Sequence, residues 1–221
     1  MDSRRAESFS DGVFAVAITV LVFNLLPIAD KTAGLLTVTG RGGHPGLLHY
    51  WPAYLAYVIS FLTIGIMWLN HHLMFAQVRT VNRPVLVLNL ILLLGIVALP
   101  FPTALVADHL TGSAGRAGQA TVAVVTYGLL MIAISVSFGG TWVYISRHLD
   151  QLAGHLPVRP SRIATFRFVS GNAGYVAGTL IALASPIAAL IIFLLLGVYY
   201  LFEHLPEPAA DGVTESGFDD D

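Results

Sequence analysis

The stretch "SFSDGVFAVAITVLVFNLL" (residues 8–26) decides the fold. It is almost wholly apolar and close to the ~20 residues that an α-helix needs to cross a bilayer core. Its one charge, Asp11, stands at the front edge, with Arg4 and Arg5 just before it. A carboxylate in the first turn of a helix suits the dipole, so an interfacial cap is one reading of Asp11. A cleaved secretory signal is another, since the basic start, the apolar run and the small residues of "PIAD" (27–30) fit that pattern. "SRRAESF" (3–9) also looks like a twin-arginine start, but with its phenylalanine displaced. Ser10-Asp11-Gly12 interrupts the passage from basic to apolar residues that a signal needs, and a retained membrane helix is the reading adopted.

Outward from this segment the pattern repeats. Of 221 residues, 56% are hydrophobic and 11% charged, against about 25% charged in a soluble domain. Apolar blocks fall at 9–27, 52–76, 85–107, 119–146, 164–185 and 187–203. They predict an all-α membrane protein with six transmembrane helices in one domain, residues 1–205. The last two blocks meet at Ser185-Pro186, which reads either as a tight turn or as a kink in one long helix. Residues 206–221 are acidic and poor in large apolar side chains, the composition of a disordered tail. The loop at about 28–50 contains "GRGGHPG" and is expected to be flexible.

With six spans both termini share one side. Eight of the eleven Lys and Arg residues then fall on that side, which predicts a cell-membrane protein with cytoplasmic termini. A net charge of −2 gives nucleic acid no electrostatic footprint, and the absence of cysteine removes disulfides and thiolate chemistry.

On a helix turning about 100° per residue, Val16, Val20 and Phe23 form one stripe with Thr19 on its flank, and Asp11 lies about 140–180° from Val16 and Val20. Asp11 therefore does not point where the stripe points. Periodicity alone favours an ordinary lipid-facing or helix-packing surface for the stripe. In "WLNHHLMF" (68–75), Asn70, His71 and His72 carry polar groups within membrane reach, which calls for polar partners. Adjacent histidines point about 100° apart on a helix and chelate a metal poorly, so no metal site is expected and a hydrogen bond to Ser10 or Asp11 is preferred. Pro100 and Pro102 in "ALPFPTAL" (98–105) interrupt helical hydrogen bonding, Asn89 is expected to bond between helices, and Gly174 and Gly178 in "SGNAGYVAG" (170–178) have small-xxx-small packing spacing.

Three of these motifs carry a resemblance. Arg5, Phe9, Ser10 and Asp11 match the "RxxxFSD" opening helix of the endosomal and lysosomal potassium channel family (transmembrane protein 175 type). Trp68 and His71 resemble its second-helix pattern, and Pro100, Phe101 and Thr103 its third-helix "PFxT". The matches cover roughly the first half of the chain. The resemblance implies a potassium-selective or potassium-preferring channel, with potassium as the permeant ion, no cofactor, and one six-helix unit of a homotetramer in the lipid bilayer. It implies a pore lined by the first helix and narrowed by apolar rings at Val16, Val20 and Phe23, with Thr19 as a hydroxyl ring beside them. It places Arg5, Phe9, Ser10, Asp11, Trp68 and His71 behind the pore in a structural polar network. Val16 is smaller, and Phe23 larger, than the residues usual there. No "TVGYG"-type loop is present. Two other readings stay open: a small membrane carrier or enzyme using His71 and Asp11, and a scaffold with no pore.

Overall fold

The computed structural model describes residues 2–28, 38, 39, 46–110, 117–148, 152 and 162–202. The acidic segment 206–221 and most of the 28–50 loop, including residues 40–45, lie outside the described residues. Helix α1 (Ser3–Val20) begins at Asp2, whose side chain accepts from the Arg4 amide at 3.1 Å, and continues as a 3₁₀ segment over Leu21–Leu25. A 3₁₀ turn, Leu47–Tyr50, leads into α2 (Trp51–Ala76). Helices α3 (Arg83–Ala98) and α4 (Pro100–Leu110) form the third span, α5 (Ala117–Arg147) the fourth, α6 (Arg162–Ile181) the fifth and α7 (Pro186–Phe202) the sixth. By length and composition Ser3–Ile28, Leu47–Ala76, Arg83–Leu110 and Gly118–Arg147 can each cross a membrane, and Pro186–Tyr200 is a shorter apolar helix. This is an all-α membrane protein whose helices fall into six segments, four of them long and apolar enough to cross a membrane by themselves.

Local chemistry sets the ends of these helices. Asn82 caps α3 by accepting from the Val85 amide at 3.2 Å, Pro84 follows in the first turn, and the Asn82 amide donates to the Tyr144 hydroxyl of α5 at 3.0 Å. Ser185 caps α7 the same way, its hydroxyl accepting from the Ala188 amide at 3.3 Å, with Pro186 as the first helical residue. Proline at that position needs no amide donor and presets the helical φ. Ser185-Pro186 is thus a turn: residues 182–185 leave the helix, and α6 and α7 pack against each other. At the break in the third span, Pro100 cannot donate to the Ile96 carbonyl, and the Leu99 amide takes that acceptor at 3.2 Å instead.

Glycines set how closely the last helices approach. A Cβ at Gly178 would lie 2.6 Å from the Phe193 ring, and one at Gly174 would lie 2.7 Å from Leu196. The small-xxx-small pair therefore serves the α6–α7 hairpin within the chain. The buried core runs through Phe14, Met74, Leu92, Ile96, Tyr127 and Phe193.

The ends on the side of the N-terminus are tied together. The Ser3 amide donates to the Arg79 carbonyl at 3.3 Å, and the Arg79 and Thr80 amides donate to the Leu152 carbonyl at 2.8 and 3.1 Å. The start of α1, the α2–α3 link and the segment after α5 thus share one face of the bundle, as an alternating path of spans requires.

Candidate functional site

Helix α1 packs against α2 and α3, and its 3₁₀ extension against α2 and α4. Its buried side is Ala6, Ser10, Phe14, Ala17 and Leu21, spaced every three or four residues. Only 22% of its most apolar 18-residue stretch is buried, against 50% for the second span. The uncovered side carries Val16 (58% exposed), Thr19, Val20 and Phe23 (59% exposed). This is the stripe read from the sequence, and no other described element covers it.

The seam between α1 and α2 is held by polar rungs, the outer ones at the exposed Trp68 and His72. Trp68 Nε1 donates to Asp11 Oδ1 at 2.9 Å. One turn away, His72 Nδ1 lies 2.7 Å from Glu7 Oε1, and the Trp68 and His72 rings stack at 6.4 Å. Residues 7 and 11 on α1 and 68 and 72 on α2 are i, i+4 pairs, so the two antiparallel helices meet at successive turns.

Deeper in, the Ser10 hydroxyl donates to the Ala6 carbonyl and accepts from Asn89 Nδ2, both at 2.9 Å, while Asn89 Oδ1 lies 2.8 Å from His71 Nε2. The carboxamide oxygen can only accept, so His71 Nε2 is the donor. His71 is fully buried, stacked on Phe75 at 4.4 Å and tilted against Phe14 at 5.4 Å, and its Nδ1 has no partner. Ser10 and His71 thus meet through Asn89 rather than directly. Asp11 and Trp68 meet directly.

Arg5 and Phe9 do not join this cluster. Both are exposed and make no hydrogen bond or ion pair among the described residues. Glu7, His72 and Asn89 take part instead. Asn89 was legible as a bonding residue in an apolar helix but carried no sign of its partners. Glu7 carries no motif that points to a partner.

The far half of α1 has its own anchor, missed in the sequence. Asn24 Nδ2 donates to the Pro100 carbonyl at 3.0 Å, beside the break in the third span. The signal available was an amide in an otherwise apolar run facing a proline-broken helix. The 3₁₀ segment beside it also changes which residues align. A 3₁₀ helix turns about 120° per residue and rises ~2.0 Å, so Val20, Phe23 and Leu26 fall on one line. Leu26 is exposed as well. Thr19 Oγ1 donates to the Val16 carbonyl at 2.9 Å, which leaves its oxygen lone pairs free to accept on the uncovered side.

Among the described residues no group of three metal-ligating side chains converges. The cluster behind α1 is a set of helix-to-helix bonds, and the uncovered face offers apolar side chains and one hydroxyl oxygen.

The model of the family described as "Endosomal/lysosomal potassium channel TMEM175" matches residues 5–100. A Streptomyces collinus protein named as a potassium channel is 37% identical over 97% of this chain and 99% of its own length. The chain belongs to the TMEM175 family. A crystal structure described as a lysosomal potassium-selective channel TMEM175 homolog, from Chamaesiphon minutus, matches with a TM-score of 0.72 at 32% identity, covering 90% of this chain and 96% of that one. The Gallus gallus protein named as the endosomal/lysosomal proton channel TMEM175 is 38% identical over 45% of this chain and only 20% of its own length. The TMEM175 match takes in α1, α2 and α3 up to Pro100, and so holds every residue of the polar cluster and of the uncovered stripe. TMEM175 membership makes the chain a channel-family protein and sets aside the enzyme reading.

Proposed function

We propose that this TMEM175-family chain is the subunit of a potassium-preferring channel in which α1 of each of four copies lines a shared pore. The observation that supports it is the one-sided anchoring of α1. Its back is bonded through Glu7, Ser10, Asp11 and Asn24, while Val16, Thr19, Val20 and Phe23 are uncovered. The bacterial relatives that the chain matches across most of its length are named potassium channels. A single such face cannot enclose a path, so the reading needs several copies around one axis.

The proposed chemistry follows from the side chains. Apolar rings at Val16, Val20 and Phe23 offer a partly dehydrated ion no replacement ligands and act as barriers whose height grows with the water that must be shed. Potassium holds its shell less tightly than sodium, so such rings favour potassium without binding it. The Thr19 oxygens supply accepting contacts beside the barrier. Leu26 adds an outer ring on the 3₁₀ line of Val20 and Phe23. The anchors Ser10, Asp11, Trp68, His71 and Asn89 hold α1 in place and touch no ion. Arg4, Arg5, Arg79, Arg83 and Arg147 all lie at the end of the bundle that holds the N-terminus, which supports cytoplasmic termini in a cell membrane.

The test is reconstitution of purified protein in liposomes with a potassium gradient, with flux read by a dye and repeated with sodium. Potassium flux above sodium flux supports the reading. No flux from correctly assembled protein returns the chain to the role of a pore-less scaffold.

A further inference from the structure

On the side of the bundle away from α1, helices α2, α5, α6 and α7 leave a cavity of about 60 Å³, lined by Met67, Asn70, Ser135, Phe138, Tyr175 and Gly197 among others. A water-sized group needs about 10–15 Å³ by this measure, so there is room for roughly four to six groups the size of water or a methylene. Asn70, Ser135 and Tyr200 on its wall are half-buried, so the cavity opens toward the outside of the bundle.

Two features set this cavity apart from a packing fault. The first is Gly197. At Gly95, Gly174 and Gly178 an added Cβ would press within 2.6–2.7 Å of a neighbouring side chain, so those glycines are required by close packing. At Gly197 the nearest atom to such a Cβ is Thr63 Oγ1, at 3.9 Å. Gly12, Gly65, Gly118 and Gly140 are as open, but among the described glycines only Gly197 lines this cavity. What it supplies is space. The second is Asn70, whose carboxamide has no hydrogen-bond partner among the described residues, although it lines a cleft within a membrane span. The hydroxyl of Ser135 can turn back to a carbonyl of its own helix, as Ser137 and Thr141 do at 2.8 Å. Asn70, with two N–H donors and an acceptor oxygen, has more to satisfy.

The depth of Asn70 suggests what fills the space. The 30-residue span Leu47–Ala76 is ~45 Å long at about 1.5 Å per residue. The hydrocarbon core is about 30 Å thick, which leaves ~7 Å of helix beyond it at each end. Asn70 precedes Ala76 by six residues, or ~9 Å. It therefore sits near the hydrocarbon boundary of the leaflet on the side of the termini, where phospholipid ester carbonyls lie. The rest of the lining mixes the hydroxyl-bearing Thr63, Ser135, Tyr175 and Tyr200 with Ile66, Met67, Ile134 and Phe138; Met67, Ile66 and Thr63 run deeper into the core along α2, the path of an acyl chain.

We propose that this cleft is a phospholipid site, with the ester carbonyl accepting from the Asn70 amide and the first acyl methylenes lying against Met67, Phe138 and Gly197. Among the described lining residues none is charged, and the site is proposed to read the ester and the chain. The proposal does not depend on ion conduction.

The experiment uses the purified full chain in liposomes doped with a phosphatidylcholine bearing a diazirine near the ester end of one acyl chain. After photolysis, labelled peptides are mapped by mass spectrometry, with labelling at Leu94 and Leu129, exposed elsewhere on the bundle, as the internal reference. The expected result is labelling at Met67 and Phe138 above that reference. Gly197→Leu, which fills the cleft, should bring it down to the reference. Asn70→Leu, which keeps the cleft and removes the amide, should lower it about threefold, the factor that one ordinary membrane hydrogen bond of ~0.6 kcal/mol carries. An ether-linked analogue of the same lipid should label the wild type as weakly as the ester lipid labels Asn70→Leu. Gly197→Ala stands in if the leucine variant does not fold. Cleft labelling no higher than the reference in the wild type, or unchanged in both variants, would overturn the proposal. Ester and ether lipids labelling alike would overturn the role of Asn70.

Discussion

The clearest single test of the anchoring scheme is Asn89→Leu. The substitution nearly conserves volume, so it probes bonding more than packing. Asn89 makes two side-chain bonds, to Ser10 Oγ and His71 Nε2 at 2.9 and 2.8 Å. Ser10 keeps the Ala6 carbonyl as an acceptor at 2.9 Å and loses little. His71 loses everything: it is fully buried, its Nδ1 already has no partner, and its Nε2–H would join it. Leaving a buried donor unsatisfied costs about 1–3 kcal/mol. Measured hydrogen bonds between membrane helices average nearer 0.6 kcal/mol, with a maximum of about 1.7. A loss of about 1.5 kcal/mol is therefore expected, roughly a tenfold fall in the folded-to-unfolded ratio. The assay is denaturant titration of purified protein in detergent, with Leu94→Ala, on the exposed outside of the same helix, as reference. His71→Leu in the same background should recover most of the loss, because the stranded donor is then gone. If Asn89→Leu costs no more than Leu94→Ala, or His71→Leu adds to the damage in full, the Ser10–Asn89–His71 chain does not anchor α1.

Other consequences can be checked in the same preparations. Asp11→Ala removes the acceptor of Trp68 Nε1 and should lower the yield of assembled protein more than it alters the potassium-to-sodium ratio, with Asp11→Asn milder; size-exclusion chromatography alongside reversal potentials separates the two. Gly178→Ala should destabilise by about 1–3 kcal/mol through overpacking on Phe193, whereas Gly197→Ala should be neutral or stabilising; thermal melts decide. Asn24→Leu frees the far half of α1 from the Pro100 carbonyl and should raise hydrogen exchange at residues 21–28 while leaving the Asp11 end protected, read by mass spectrometry. Val20→Asn or Phe23→Asn should raise conductance and lower potassium preference, read from single-channel records and reversal potentials in mixed salts.

The spans were legible because lipid imposes a length and a composition that no tertiary contact rewrites. The uncovered stripe was legible for a similar reason, since Val16 and Val20 stand opposite Asp11 on any α-helix. The partners were not. Ser10 and Asn89 are 79 residues apart, and which helix faces which depends on the crossing of whole spans. Glu7 carries no sequence signal of the His72 that α2 brings to it. Arg5 and Phe9 matched a motif by spacing, yet both lie on the exposed side. The 3₁₀ winding of Leu21–Leu25 also escaped the sequence, since four apolar residues and an asparagine suit either helix type. Its consequence, Leu26 in line with Val20 and Phe23, appears only once the backbone is known.

The central claim is that the uncovered face of α1 lines the ion path. The chain has no cysteine, so single cysteines can be introduced into the native background. Cysteine replaces Val16, Thr19, Val20 or Phe23 in turn, with Leu94→Cys as an exposed control elsewhere on the bundle. Potassium current is followed while a charged, water-soluble thiosulfonate is applied. The account predicts progressive block at the four α1 positions, slowed by high potassium, and none at Leu94→Cys. Current that persists at all four, with their thiols shown unmodified, would place the ions elsewhere.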